Sequence, residues 1–298
     1  MKNQDTHGQL LRRVIAARDV TAFIGVYDAF SATIAGKHYD AIFVSGYGFA
    51  ASHYGLPDVG FICWTDIVAF VARLRTLLPS HHILVDLDDG YGDPEIAAHA
   101  AAAVEQAGAS GIVLEDQQRP RRCGHAPGKQ ILPLESYLAK LDRVLAARRD
   151  LFVVARTDAP DDDERERRVK AFAAHGADAV LADGIDNLDT LRRLSRGVDR
   201  PLMFNQLAGG RSPRCTLSEL RAAGVSMVNY SAPCLFAAAS AIEASMNELK
   251  LLDGLLPDTT VPGAVGVGAC TAMLAKNVVG PRPAAMPAAH APTVNATR

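Results

Sequence analysis

The sequence has few cysteines, almost no net charge and no long apolar run, and each absence argues against a class of function. Its five cysteines include no Cys-x-x-Cys pair, so neither a zinc site nor a disulfide framework is indicated. With 31 basic and 33 acidic residues, no electrostatic field favours nucleic acid or an anionic membrane. The basic cluster Arg165–Arg168 is interleaved with acids and is interpreted as a solvated helix face. No apolar run approaches the length of a membrane span.

The amino-terminal segment Met1–His7 is polar and lacks the apolar stretch of a secretory signal peptide. Together with the scattered cysteines, this favours a cytoplasmic enzyme with reduced thiols. Nearly half of the 298 residues are hydrophobic, which suffices for one large core. We therefore expect a small-molecule substrate and neither a nucleic-acid nor a membrane partner.

Short apolar runs alternate with amphipathic helical stretches, as in α/β proteins whose parallel strands are joined by crossover helices. The eight candidate strands are continuously apolar, so both faces should be buried, which predicts a closed (β/α)8 TIM-type barrel. An open doubly wound sheet is the alternative, but no Gly-x-Gly-x-x-Gly follows the first strand. The candidate strands are Ala22–Val26, Ala41–Val44, His82–Val85, Gly111–Leu114, Phe152–Ala155, Ala179–Ala182, Leu202–Phe204 and Ser226–Val228.

Both ends of the chain lie outside this alternation. Gly8–Ala17 predicts a helix that closes the bottom of the barrel, and Cys234–Leu252 and Ala264–Val279 predict two further helices. Because no interdomain linker is visible, we predict one domain over residues 1–280. Residues 281–298 are rich in proline and alanine and predict a disordered tail.

Polar side chains follow the candidate strands, and the carboxyl ends of barrel strands converge on one site. Asp86 and Asp88 are two residues apart on an extended segment, so their carboxylates should point the same way. With Glu115 from the next strand they form an oxygen cluster suited to Mg²⁺, since acids crowded without a cation would repel one another. Strand-end acids also cap helices, as Asp93 before Pro94 is expected to do.

The loop after the fourth strand carries Cys123 between the basic pair Arg121 and Arg122 and His125. Positive charge favours the thiolate, so a reactive cysteine is expected here, with a buried structural cysteine as the alternative. Arg156, at the end of the fifth strand, suits a substrate carboxylate, and it could also neutralise the acid cluster.

Two glycine-bearing segments complete the set of candidates. Ser45–Gly48 follows the second strand and could aim backbone N–H groups at an anion, or could be only a tight turn. Asp58 lies in Gly55–Gly60, a loop long enough to reach over the site.

Together these motifs resemble the isocitrate lyase/phosphoenolpyruvate mutase superfamily, from about Leu10 to about Val279. Within it they are most similar to 2-methylisocitrate lyases and carboxyphosphonoenolpyruvate phosphonomutases. The loop around Cys123 resembles the lyase-type Cys-Gly-His loop and lacks the Asn-Ser pair of the mutases. The matching motifs are Tyr27–Ala29, Ser45–Gly46, Gly55–Asp58, Asp86–Gly92, Leu114–Gln117, Arg122–His125 and Ala155–Ala159.

The resemblance implies a Mg²⁺-dependent carbon–carbon lyase that cleaves a 2-hydroxy di- or tricarboxylate, similar to 2-methylisocitrate, through an enolate. Cys123 would be the general acid/base on a closing loop. Asp86 would hold Mg²⁺ (or Mn²⁺ as a substitute), with Asp88 and Glu115 acting largely through water. The barrel would swap its eighth helix between paired subunits of a homotetramer. The implied catalytic residues are Cys123, Arg156, His125 and Glu115, and the implied substrate-binding residues are Tyr27, Ser45, Gly46, Tyr47, Asp58, Gly124, Asp183 and Asn205.

The chain departs from the superfamily pattern at three positions. Asp183 stands where lyases have a glutamate, Ala208 stands where an acid is expected, and Asp89 is an additional acid. These departures leave open a phosphonomutase, or a 2-oxo acid hydrolase or decarboxylase, of the same superfamily. A catalytically silent barrel that binds a metabolite is the alternative from another class.

Overall fold

Eight parallel strands close into a barrel in chain order, with β1 paired to both β2 and β8. This computed structural model describes residues 5–256 and 264–278. The (β/α)8 prediction is confirmed, because every candidate strand is present. The strands are β1 Thr21–Val26, β2 Ala41–Val44, β3 His82–Asp86, β4 Gly111–Glu115, β5 Phe152–Thr157, β6 Ala179–Ala182, β7 Leu202–Asn205 and β8 Val225–Tyr230.

Helices connect the strands, and seven of the described helices begin at a residue whose side chain accepts a capping hydrogen bond. Asp93 caps one of them as expected, because its Oδ1 accepts the Ile96 N–H at 2.9 Å. Among the described residues, no helix is both long and apolar enough to cross a membrane. The helices are α1 His7–Ala17, α2 Ala29–Ala35, α3 Gly46–Phe49, α4 Trp64–Leu77, α5 Pro94–Gln106, α6 Leu134–Ala147, α7 Asp162–Ala174, α8 Leu188–Gly197, α9 Leu217–Ala222, α10 Pro233–Leu251 and α11 Val267–Leu274.

Helix α1 closes the amino-terminal end of the barrel, as predicted. Leu11 and Ile15 are buried in one cluster with inward-facing strand residues such as Phe152. Arg12 fixes the helix there by donating to the carbonyl of Asp150 at 2.6 Å. Because this end is filled by apolar side chains, only the carboxyl end of the barrel is left for a polar site.

The chain divides after Glu248 into two compact units, the first of which contains the barrel. In the second unit, α11 and a short 3₁₀ turn, Ala275–Asn277, occupy part of the stretch for which the sequence predicts one helix. Val279 and the predicted tail over residues 281–298 lie outside the described residues. The single domain and the swapped helix therefore stay predictions.

The interpretation of the Arg165–Arg168 cluster as a solvated face is wrong for two of its members. Arg168 and Arg165 are buried, whereas Arg167 is exposed. The Nη1 atom of Arg168 lies 2.9 Å from Asp116 Oδ2. Residues three apart share one face of α7, and here that face turns toward the barrel.

Arg168→Met should lower the free energy of unfolding by about 3–5 kcal/mol, because Asp116 would lose its buried partner. Arg167→Met makes the same change on the exposed face and should cost about 0–1 kcal/mol. Urea unfolding followed by circular dichroism measures both values. Equal losses would contradict the assignment of Arg168 to a buried ion pair.

Candidate active site

The alternation of side chains along the strands builds the site. Six polar residues each follow, by two positions, an inward-facing core residue, so they point into the mouth of the barrel. The core and polar residues pair as Phe43 with Ser45, Leu84 with Asp86, Val113 with Glu115, Val154 with Arg156, Leu181 with Asp183, and Met203 with Asn205.

A cavity of about 30 Å³ lies among these side chains, enough for about one water molecule. We refer to this small cavity as the closed site. Tyr27 is not among its lining residues, and its backbone N–H bonds to Ser31 at 3.1 Å. Four lining residues, Phe43, Arg121, Leu207 and Ser231, were not predicted as site residues. The predicted residues that line it are Ser45, Tyr47, Asp58, Asp86, Cys123, Gly124, His125, Arg156, Asp183 and Asn205.

The segment expected to form a glycine-bearing turn is instead a helical start. Ser45 is the N-cap of α3, because its Oγ accepts the Gly48 N–H at 3.1 Å. A π-helical turn, Ala50–Tyr54, continues α3 and ends at Gly55, whose φ of 64° suits glycine. Short apolar runs with glycine carry no clear helix signal, which explains why the sequence did not predict these turns.

Arg156 holds acids from three strand ends together. Its Nε donates to Asp158 at 3.0 Å, and its Nη2 lies 2.8 Å from Asp183 and 3.3 Å from Glu115. Its Nη1 donates to no group of the described residues. Burial alone would raise the pKa of Asp183, but Arg156 and His125 lower it below its usual range. Arg156 thus neutralises the acids and leaves its Nη1 without a partner among the described residues.

Arg121 enters the acid cluster from the loop. Its Nε donates to Glu115 at 2.7 Å, and its Nη1 donates to Asp58 at 2.5 Å. Its Nη2 lies 3.4 Å from Asp88. The Arg121 side chain is 2% exposed, so this cation is fully engaged by carboxylates. It also ties the Asp58 loop to the Cys123 loop.

The prediction that neighbouring arginines acidify Cys123 is wrong. Burial, followed by the charge of Asp58, raises the pKa of the Cys123 thiol to about 11. The reason is that Arg121 points into the acid cluster while the thiol faces carboxylates. A thiol with a raised pKa stays protonated at neutral pH and suits a proton donor.

Alkylation of Cys123 by iodoacetamide in the ligand-free protein should be slow at pH 7. It should accelerate about tenfold per pH unit up to about pH 10, because only the thiolate reacts and its pKa is raised. Peptide mass spectrometry measures the rate, with exposed Cys63 as the internal control. Labelling of Cys123 as fast as that of Cys63 at pH 7 would contradict the buried, protonated thiol.

His125 is held in one tautomer. Its Nδ1 accepts the backbone N–H of Arg211 at 2.9 Å, so the proton of the neutral ring is on Nε2. That Nε2 lies 3.5 Å from Asp183 Oδ1, which also accepts from Asn205 at 3.1 Å. Ser231 orients the Asn205 amide by donating to its Oδ1 at 2.5 Å. Asp183, one methylene shorter than a glutamate, therefore still contacts both His125 and Arg156.

The backbone of the Cys123 loop packs closely against the side chains of Asp183 and Arg156. A Cβ atom on Gly124 would overlap Asp183 Oδ2 and Arg156 Nη2, so only glycine fits. Lys129 donates to the Gly124 carbonyl and, at 2.8 Å, to Asp158. A single lysine in a loop carries no sequence signal for this contact, and Lys129 was missed.

Asp89, the additional acid, does not belong to the acid cluster. It accepts two bonds from Arg119, from Nε at 2.7 Å and from Nη2 at 2.8 Å. Gln117 holds the next part of the loop, because its amide bonds to the backbone N–H and carbonyl of Arg122 at 2.9 and 2.8 Å. Asp89 is thus an anchor for the base of the loop.

Asp89→Asn should loosen the loop that carries Cys123, because the bidentate pair with Arg119 loses its charge. Hydrogen exchange should become several-fold faster over residues 118–126 and stay unchanged in the strands. Glu95→Gln removes the same type of pair, with Arg143 on the surface, and is the control. Unchanged exchange in the loop would show that Asp89 anchors nothing.

The acid cluster offers a place for a divalent cation. A Cβ on Gly46 would lie 3.2 Å from Asp88 Oδ1 and 3.3 Å from Asp86 Oδ2, so these two oxygens converge on a position without a side chain. Asp88 Oδ1 and Glu115 Oε2 are buried without hydrogen bonds. Burial raises the pKa of Asp86 and Asp88, and that of Glu115 to about 7.

No group of three Asp, Glu, His or Cys side chains within the described ranges is arranged to hold a metal jointly. The reason is that Glu115 faces Arg121 and Arg156. Mg²⁺ takes one or two protein carboxylates and keeps its waters, so Asp86 and Asp88 alone fit it. Glu115 is not part of this pair, because Arg121 and Arg156 engage both of its oxygens.

Known proteins are similar to this chain over the residues that carry the candidate site. The family described as phosphoenolpyruvate phosphomutase matches residues 11–250. The petal death protein of Dianthus caryophyllus is 34% identical over 80% of this chain and 77% of its own length. The 2-methylisocitrate lyase of Bacillus subtilis is 32% identical over 80% of each. A solved 2,3-dimethylmalate lyase, a PEP mutase/isocitrate lyase superfamily member, aligns with a TM-score of 0.84 and 27% identity over 91% of this chain and 92% of that chain.

Proposed function

The chain belongs to the phosphoenolpyruvate phosphomutase family, whose members and relatives are lyases and mutases, and from this we propose a Mg²⁺-dependent carbon–carbon lyase. The proposed substrate is a 2-hydroxy di- or tricarboxylate, and the products are a 2-oxo acid and a second carboxylate. One observation carries the proposal. Cys123, Arg156 and Asp86 line the same small cavity, which supports assigning to them the roles of proton donor, carboxylate-binding cation and metal ligand for one substrate.

The roles follow from the charges and hydrogen bonds of these residues. The unbonded Nη1 of Arg156 binds the substrate carboxylate, and Ser45 lines the same space. Mg²⁺ at Asp86 and Asp88 would supply a Lewis acid for the charge that develops on the enolate oxygen. As the carbon–carbon bond breaks, the substrate's 2-hydroxyl loses its proton to a carboxylate of the acid cluster and becomes the carbonyl of the 2-oxo acid. Cys123, held protonated by its surroundings, donates a proton to the departing carbanion. His125 and Asp183 keep the loop closed, which excludes water.

The direct test is a panel of 2-hydroxy di- and tricarboxylates, including 2-methylisocitrate and 2,3-dimethylmalate. We expect one of them to release a 2-oxo acid, detected as its phenylhydrazone, only when Mg²⁺ is present. No release from any member would contradict the lyase. A shift of the phosphorus NMR resonance with phosphonopyruvate would instead indicate a mutase.

Asp86→Asn should abolish this release and the Mg²⁺ dependence of oxalate binding, because Asp86 is the proposed metal anchor. Isothermal titration with and without Mg²⁺ measures the second effect independently of turnover. Asp163→Asn is the matched control, since that acid pairs with Arg193 on the surface, and it should retain Mg²⁺-dependent oxalate binding. Wild-type behaviour of Asp86→Asn at low Mg²⁺ would place the metal elsewhere.

Cys123→Ser should lower kcat by about 10²–10⁴-fold, because a hydroxyl has a far higher pKa than a thiol and is a poor proton donor. Oxalate binding in the presence of Mg²⁺ should stay unchanged, since Arg156 and the metal provide those contacts. If this variant turns over at the normal rate, Cys123 only packs the loop, and His125 becomes the next candidate for proton transfer.

A further inference from the structure

Two larger cavities adjoin the closed site. The middle cavity, about 430 Å³, shares Tyr47, Asp58, Cys123, His125 and Leu207 with the closed site. The outer cavity, about 650 Å³, shares with the middle one the segment Leu207–Gly210 and Phe236. Leu207 lines all three, so the cavities form a continuous path from the reacting centre outward. A substrate bound at the closed site must place its remaining atoms along this path.

The walls of the outer cavity have a distinct chemistry. Most of them are apolar or aromatic, with Leu207, Tyr230 and Phe236 as the large side chains. Tyr47 and Phe236 pack edge to face, 6.1 Å between ring centroids, where the middle cavity meets the outer one. No acidic side chain of the described residues lines the outer cavity.

Arg214 is the cationic residue on the outer wall. It is exposed, and it forms no ion pair or hydrogen bond with the described residues. Arg121 and Arg156 in the closed site differ in this respect, because each is engaged by carboxylates, whereas Arg122 on the middle cavity is exposed like Arg214. Ala208, where the superfamily pattern has an acid, lines both larger cavities. An unpaired guanidinium on the largely apolar wall of the outer cavity matches an anion on an apolar stem, whereas the middle cavity also presents Asp58, Arg122 and His125.

We propose that the outer cavity is a distal subsite, and that Arg214 binds a carboxylate at the far end of the substrate. An apolar chain would join this carboxylate to the 2-oxo or 2-hydroxy acid head at Arg156. The inference rests on the proposed function, because that function assigns the acid head of the substrate to Arg156 in the closed site. It adds that the side chain of the substrate is long, apolar along its length and charged at its end.

Binding of oxamates to the full-length protein with Mg²⁺ tests this subsite. Oxamate mimics the 2-oxo acid head, and its nitrogen carries tails of two, four or six methylenes that end in either a carboxylate or a methyl group. For at least one length, the carboxylate tail should lower Kd about tenfold relative to its methyl counterpart. Isothermal titration calorimetry measures each Kd.

Three variants test whether Arg214 is responsible for the lower Kd of the carboxylate-tailed oxamate. Arg214→Gln should remove the carboxylate advantage and leave the Kd of plain oxamate unchanged. Arg211→Gln is the matched control, because that arginine is on the same loop but not on the cavity wall, and it should keep the advantage. Ala208→Glu adds a carboxylate to the wall that the two larger cavities share. In this variant the carboxylate-tailed oxamate should bind more weakly than its methyl counterpart.

The remaining outcomes would contradict either the proposed function or the distal subsite alone. If plain oxamate fails to bind with Mg²⁺, the proposed function fails and the subsite fails with it. If oxamate binds but no carboxylate tail binds better than its methyl counterpart, the subsite alone is wrong. An advantage that survives Arg214→Gln would also overturn the assignment.

Discussion

The buried guanidinium of Arg156 is the interaction on which the rest of the site depends. It pairs with Asp158 on its own strand end and with Asp183 on the next, so it fixes the mouth of the barrel on two neighbouring strands. Asp158 in turn receives Lys129, which also holds the Gly124 carbonyl. The position of the loop over the cavity is thus a consequence of how Arg156 is neutralised. Removing such a cation would leave buried acids without a partner, which costs several kcal/mol.

Charge balance explains why the cluster is suited to a further cation. Arg121 and Arg156 are shared among more carboxylates than they can neutralise, and burial raises the pKa of Glu115 to about 7. A divalent ion beside Asp86 would reduce this excess of negative charge and lower the pKa of Glu115. The carboxylates are Asp58, Asp86, Asp88, Glu115, Asp158 and Asp183, against the cations Arg121, Lys129 and Arg156.

The sequence predicts what depends on strand alternation and misses what depends on loop conformation. Asp86 and Arg156 were found because a strand end with period two fixes where its side chains point. Lys129 and Ser231 act through contacts with residues far along the chain, and no local pattern marks them. Cys123 shows the same limit. Arg121, two positions before it in the sequence, faces Asp58 and Glu115. The electrostatic environment of the thiol therefore depends on how the loop folds.

The departures of this chain from the superfamily pattern change charge at two separate places. The acid gained at Asp89 is paired with Arg119 at the base of the loop, so it adds order there without adding repulsion to the acid cluster. The acid absent at Ala208 leaves the shared wall of the two larger cavities without a negative charge beside Arg214. Asp183 keeps its contacts despite its shorter side chain. The charged centre around Arg156 therefore keeps its contacts, and the change in charge lies on the wall of the two larger cavities, where we propose the distal subsite.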